Sequence, residues 1–299
     1  MMTKSLLTLR NGETLAYFDS KVGDKTLVLI HGNFSSLMFF EPLIERMPNN
    51  VRIIAVDLRG YGDSSYHQSF NTLKELADDV MDLLDQLKVD SFDLLGWSLG
   101  GGVALELAST LKTRVKHLIL VASTTHKGYP IFKKNEQGQP ILGAVYETKE
   151  ALASDPVQVA PMLGALATSN VEFMKYIYNL TIYTGKNKPS DGEHNRWSME
   201  ALKTRCLVDA DWALANLNMS DGLSYYGMGS GRIKDITAKV LHLTGTKDVV
   251  VPNFMIMDNF NALKDQSELI TYDNVGHSPF VDIPDQITND IINFINKGE

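Results

Sequence analysis

Five short runs constrain this chain most: TLVLIHG (26–32), VRIIAVD (51–57), FDLLGW (92–97), VKHLILVAS (115–123) and KVLHLTG (239–245). Each is apolar almost without interruption, rich in β-branched or large aliphatic residues, and stopped by a turn former. A strand with one wet face alternates apolar and polar residues. An uninterrupted run is dry on both faces, as in a parallel sheet covered on two sides. Helical spacing of apolar residues follows at 38–47, 73–88 and 99–111. This βαβα alternation predicts an α/β fold, a mostly parallel sheet flanked by helices. Two N-terminal runs, SLLTLR and TLAYFDS, separated by NGE, predict an antiparallel hairpin at the sheet edge.

The alternation stops near residue 124 and resumes near 236. Residues 124–231 carry helical patterns broken by turn-rich stretches such as TGKNKPSDGEHN, which predicts an inserted helical cap. Residues 1–123 and 232–299 then form the core. The return piece YYGMGSGR lacks the Lys-Ser/Thr of a phosphate loop and has no strand leading into it, so it reads as a flexible connection.

Within the core, GWSLGG (96–101) places Ser98 between Gly96 and Gly100, where an apolar strand runs directly into a helix. The pattern G-x-S-x-G by itself is weak, arising by chance in roughly one chain of this length in ten. Its position is informative. A sharp strand-to-helix turn crowds positions two before and two after the serine, and glycine relieves the crowding. The hydroxyl then stands at the carboxyl edge of the sheet, beside a helix N-terminus, where open α/β sheets bind ligands.

A serine hydroxyl needs a base, and the base needs an orienting acid. Of seven histidines, His117 and His242 fall inside strands, while His67, His126 and His194 fall in polar stretches. His277, in ITYDNVGHSPF, follows the last strand and shares the edge with Ser98. Asp248, in HLTGTKDVVVP, follows the strand before it, and VASTT after the preceding core strand offers no carboxylate. The predicted catalytic set is therefore Ser98, Asp248 and His277, with Asp273 and Asp282 as solvated turn residues. The amide of Leu99 supplies one oxyanion donor. The loop HGNFSS supplies the other, Asn33 first and Phe34 second, with His31 a structural residue of that loop. Trp97, Met162, Phe173 and Trp212 are the candidate substrate-pocket residues. Met162, Phe173 and Trp212 belong to a wider set of large apolar groups in the insertion that includes Met174, Tyr176 and Met219, whereas Trp97 lies in the core beside Ser98.

The pieces HGN, VDLRGYGDS, GWSLGG, TGTKDVVVP and GHSPF together resemble the α/β-hydrolase superfamily, in its branch of small capped esterases and lactonases. The resemblance spans the chain except the insertion. It implies a structural role for Asp57, Arg59 and Asp63 as a loop buttress. HGN.SS with GWSLGG also resembles acyl-homoserine lactonases, in which a glutamate is the acid where Asp248 stands here. Serine at position 98 departs from the dehalogenases and epoxide hydrolases, which carry aspartate. GGSWG of prolyl aminopeptidases, Gly-His-Trp of C–C hydrolases and HGGG of hormone-sensitive-lipase relatives are not found.

The expected activity is hydrolysis of a small carboxylic ester, lactone or thioester through an acyl-enzyme. The alternatives are an acyltransferase or perhydrolase using the same residues, and a ligand receptor on the same fold. No cofactor or metal is expected: no histidine pair has HExxH spacing and there is one cysteine, Cys206. The partner is a small-molecule acyl substrate. A net charge of −8 without a Lys/Arg cluster speaks against nucleic acid, and no run approaches a membrane span. The N-terminal apolar run is too short for a secretion signal, so a cytoplasmic location is expected. The sequence leaves the oligomeric state open.

Overall fold

The computed structural model describes residues 2–297. The chain runs through β1 (Ser5–Thr8), β2 (Thr14–Asp19), β3 (Lys25–Ile30), α1 (Glu41–Ile44) and β4 (Val51–Val56). There follow α2 (Leu73–Gln86), β5 (Phe92–Trp97), α3 (Leu99–Leu111) and β6 (Val115–Val121). Next come β7 (Phe132–Lys134), β8 (Pro140–Val145), α4 (Lys149–Ala153), α5 (Ala160–Ala167) and α6 (Val171–Thr181). Then α7 (Asp191–Ala201), α8 (Leu207–Asn216), β9 (Leu223–Ser224) and β10 (Gly227–Met228) lead to β11 (Lys239–Gly245). The chain closes with α9 (Asn253–Ala262), β12 (Ser267–Tyr272), α10 (Pro279–Asp282) and α11 (Pro284–Ile295).

The main sheet has the order β1-β2-β4-β3-β5-β6-β11-β12. β1 and β2 are antiparallel, β2 meets β4 antiparallel, and the remaining pairs are parallel. Successive side chains of a strand point to opposite faces, and the two faces are both apolar here. Val28, Ile30, Leu94 and Leu118 join the side chains of α2 and α3 in one cluster. Leu27, Leu29, Leu95 and Ile119 join Leu43 of α1 and Ile287, Ile291 and Phe294 of α11 in the other. That double burial is why the strand sequences do not alternate. β3 lies between β4 and β5, so the chain reverses direction across the sheet at β3. The loops after β3 and β5 therefore diverge at their carboxyl ends and leave a crevice, the usual ligand position in open α/β sheets.

The segment between β6 and β11 differs from the all-helical expectation. It contains α4 to α8, but also two antiparallel hairpins, β7–β8 and β9–β10. β7, β9 and β10 carry only two or three residues each, too few to leave a periodic signal, and β8, although six residues long, is exposed or half-buried throughout and so shows no alternation. The glycine-rich return is also not a loose connection. Gly229 and Gly231 donate to Gly222 and Ser220 carbonyls at 2.9 Å each. A Cβ at Gly229 would stand 2.0 Å from the Ser220 carbonyl oxygen, so the glycine is needed for this close approach.

Candidate active site

Ser98 follows β5 with φ 57° and ψ −121°, and α3 begins at the next residue. Such a conformation costs about 1–3 kcal/mol for a residue with a side chain, and the surroundings must over-determine it. They do. The Ser98 N–H donates to Val121 O at 3.0 Å, and its carbonyl accepts from Gly101 (2.9 Å) and Thr124 (3.2 Å). A Cβ at Gly96 would lie 2.3 Å from Gly100 O, and one at Gly100 would lie 2.3 Å from Ile30 O. Both contacts are with backbone, which cannot step aside. A Cβ at Gly32 would lie 2.9 Å from Ser98 Cβ. The three glycines let the turn, the helix and the neighbouring loop close around one serine.

Asp248 follows β11 and His277 follows β12, and Asp248 Oδ2 stands 2.9 Å from His277 Nδ1. The pair is almost wholly buried, at 1% and 2% side-chain exposure. The carboxylate is oriented by its other oxygen, which accepts from the Val250 and Val251 amides at 2.8 and 2.9 Å. Trp97 fixes the backbone that carries the imidazole, its Nε1 donating to the His277 carbonyl at 2.9 Å, and its ring lies 5.6 Å from the imidazole between centroids. With Nδ1 committed to Asp248, Nε2 is the ring nitrogen free to exchange a proton.

Asp282 is not the solvated turn residue expected. It is buried, and its Oδ2 accepts from the Gly276 amide while Oδ1 accepts from Asn187, both at 2.8 Å. It thereby fastens the loop that carries His277. Asp273 does sit at an exposed turn, bonded to Thr246 and Asn274. His126 and His194 are likewise not in open polar loops. His126 is buried against Asn259, and His194 is buried in α7.

The loop after β3 is built around His31, which is fully buried. Its Nε2 accepts from Leu58 N–H at 3.1 Å, so Nδ1 carries the proton and meets Gly32 O at 2.7 Å. Burial lowers its pKa and keeps it neutral. Asn33 Oδ1 accepts from Tyr61 OH (2.8 Å) and Phe34 N–H (3.0 Å), while its Nδ2 donates to Asp211 Oδ1 (2.9 Å). The Phe34 amide is thus engaged, and its carbonyl accepts from Tyr178 OH. Leu99 is the first residue of α3, so its amide has no carbonyl of its own helix to meet. Asp57 anchors this region, accepting from Leu37 and Asp63 amides and pairing with Lys4. Arg59 makes a two-pronged pair with Asp79, and Asp63 pairs with Lys203 and Lys4.

Ser98, His277, Asn33, Phe34 and Leu99 line one cavity of about 380 Å³. Trp97 and Met162 line it too, and its other walls are mainly apolar, including Ile131, Ile177 and Leu214. Phe173 and Trp212 do not. They are part of the packing around the second core cluster, and Trp212 stacks edge-on against Tyr226. Helical spacing marks which residues are apolar, but not which of two inward directions each one takes. Met174 and Met219 are core residues, and Tyr176 is exposed. A second, wider cavity of about 1010 Å³ shares Tyr129 and Gln158 with the first. Asp211, a buried carboxyl on α8, also lines the first cavity and was missed by sequence reasoning. No spacing connects it to Asn33, 178 positions earlier in the chain.

Among the described residues, no three His, Cys, Asp or Glu side chains gather as a metal site, and no helix is long and apolar enough to cross a membrane.

Comparison with known proteins agrees with this architecture. A protein from Aliivibrio salmonicida, named pimeloyl-[acyl-carrier protein] methyl ester esterase, is 26% identical over 96% of this chain and 98% of its own length. An esterase from Exiguobacterium antarcticum superposes with a TM-score of 0.75 at 20% identity, covering 99% of this chain and 100% of that one. An enol-lactonase from Burkholderia xenovorans gives 0.72 at 15% identity, covering 98% and 100%. The model of the alpha/beta hydrolase fold family matches residues 25–284. The chain is a member of the α/β-hydrolase-fold family.

Proposed function

We propose that the protein is a serine hydrolase of small, uncharged carboxylic esters or lactones. The observation that carries this is the arrangement of Ser98 and the Asp248–His277 pair on one apolar cavity at the carboxyl edge of the sheet. The names of its esterase and enol-lactonase relatives support ester or lactone hydrolysis; the small, uncharged acyl group is read from the apolar walls of the cavity.

In this reading Ser98 Oγ attacks the ester carbonyl while His277 Nε2 takes its proton. Asp248 holds the Nδ1–H tautomer and stabilises the imidazolium. The tetrahedral oxyanion accepts from the Leu99 amide and the Asn33 amide. Asn33 is preferred over Phe34 because the Phe34 N–H already donates to the Asn33 side chain. The imidazolium returns its proton to the leaving alkoxide, and water then cleaves the acyl-enzyme by the reverse sequence. Residues 124–231 act as a cap: Met162, Ile177 and Leu214 from this segment wall the cavity that receives the substrate. The unpaired, buried Cys206 fits a reducing compartment, in keeping with a cytoplasmic location.

A fluorophosphonate should label the protein once, at Ser98, and block hydrolysis of short p-nitrophenyl esters. Labelling elsewhere, or turnover that survives labelling, would overturn the assignment.

A further inference from the structure

Helix α8 carries two buried aspartates with opposite surroundings. Asp209 is compensated: Lys149 Nζ and Tyr66 OH lie 2.7 and 2.6 Å from its carboxylate, and the Phe70 amide 2.9 Å. Asp211, two residues on, is 7% exposed and has one neutral donor, the Asn33 side-chain amide. Among the described residues its Oδ2 has no hydrogen-bond partner, and no cation pairs with it. A buried carboxyl in this state is costly, and an apolar side chain would fill the same wall of the cavity without that cost. Its position gives it a use. Asp211 lines the cavity that holds Ser98 and bonds to Asn33 of the oxyanion loop, so an acyl group bound at Ser98 shares the cavity with its carboxyl.

We propose that Asp211 is a specificity-determining residue of the acyl pocket, which rejects acyl groups bearing a carboxylate and accepts those bearing a hydroxyl. This rests on the serine-hydrolase reading above. The free carboxyl oxygen accepts from a substrate hydroxyl, and between mainly apolar walls its negative charge repels a second carboxylate. Desolvation raises the Asp211 pKa to about 7, with Asn33 opposing the shift and Asp155 adding to it. The discrimination against anions is therefore strong above pH 7 and relaxes below it. The other titratable groups near Asp211 do not supply this behaviour. Tyr61 and Tyr129 are both driven further from ionising by burial. Asp155 is paired with Lys134 at 2.7 Å and accepts from Tyr146. His277, across the cavity, serves every substrate alike and cancels from a ratio of two substrates.

The test compares methanol release from methyl butyrate, methyl 3-hydroxybutyrate and monomethyl succinate at pH 5.5 and 8.5. In the wild type, kcat/KM for monomethyl succinate relative to methyl butyrate should fall on the order of ten-fold or more between the two pH values. In Asp211→Asn, which keeps an acceptor for Asn33, that ratio should be flat. At pH 8.5 the wild type should favour the 3-hydroxy ester over methyl butyrate by roughly ten-fold, the size of one hydrogen bond. A wild-type succinate ratio independent of pH, a drop retained in Asp211→Asn, or no preference for the hydroxy ester would each overturn the proposal. The wild-type measurements need no variant to fold. Turnover of methyl butyrate with label at Ser98 shows that the hydrolase reading stands even where the Asp211 proposal fails.

Discussion

The strand ends after β3, β5, β11 and β12 and the segment between β6 and β11 meet at one cavity, but they are built by different rules. The first region is over-determined. Ser98 is held by backbone bonds on both sides and by glycines that no other residue could replace without a clash. Asp248 and His277 are each fixed by amides or by Trp97. The second region contacts the cavity through side chains of several separate elements, among them Met162, Ile177, Asp211 and Leu214. Its two hairpins leave large apolar groups in solvent, with Leu142 81% and Leu223 78% exposed. Chemistry that fails with a shift of about 1 Å requires the first kind of construction. Substrate choice requires only a wall of suitable shape and polarity, which the second kind supplies. In the proposed reading, substitutions at the strand ends should abolish turnover, and substitutions in the segment should redirect it.

The largest expected effect is at the serine. Ser98→Ala should fold as the wild type does and lose a factor on the order of a million in kcat, measured on a short p-nitrophenyl ester. Substantial residual activity would erase the contrast between the two regions. Asp248→Asn should cost roughly ten-thousand-fold in kcat, because the amide favours the wrong imidazole tautomer. Asp282→Ala should lose less, roughly ten- to a hundred-fold, since it acts on His277 only by fastening Gly276 and Asn187. Equal losses at positions 248 and 282 would mean that loop geometry, not the orienting carboxylate, is limiting.

Asp211 provides a stability test with a definite sign. Its folded-state pKa, about 7, lies above the unfolded carboxyl value, so the folded protein binds the extra proton between about pH 4 and 7. The charged form is the disfavoured one, so this group costs stability progressively as pH rises through that window. Below about pH 4 the cost is absent, and above 7 it is complete. Asp211→Asn should therefore raise the Tm at pH 8 relative to wild type, and the gain should shrink to nothing by pH 4. A gain of equal size at both pH values would show that charge burial is not the cause.

The smallest effect concerns the apolar wall. Each methylene buried there adds up to about 0.8 kcal/mol, roughly four-fold in kcat/KM. For neutral acyl esters the profile should climb through short chains, then turn down once the 380 Å³ cavity is filled. Met162→Ala should move the optimum to longer chains, whereas Phe173→Ala, outside the cavity lining, should leave it in place. A flat series would separate the segment from acyl selection altogether.

The parallel sheet, its flanking helices and the strand-end positions of Ser98, Asp248 and His277 were legible in the sequence because they depend on local signals. Apolar runs, glycine at two fixed offsets and turn residues after strands act over a few neighbours, and burial on both faces writes them without alternation. The coupling of Asp211 to Asn33, the anchoring of the His277 loop by buried Asp282 and the sorting of Met162 from Phe173 were decided only by the tertiary structure. Each depends on which element lies opposite, across distances of up to 178 positions in the chain. An aspartate in an exposed turn and one sealed behind a neighbouring loop are the same letter. What separates them is desolvation and the partner brought to meet them, and both exist only once the chain has folded.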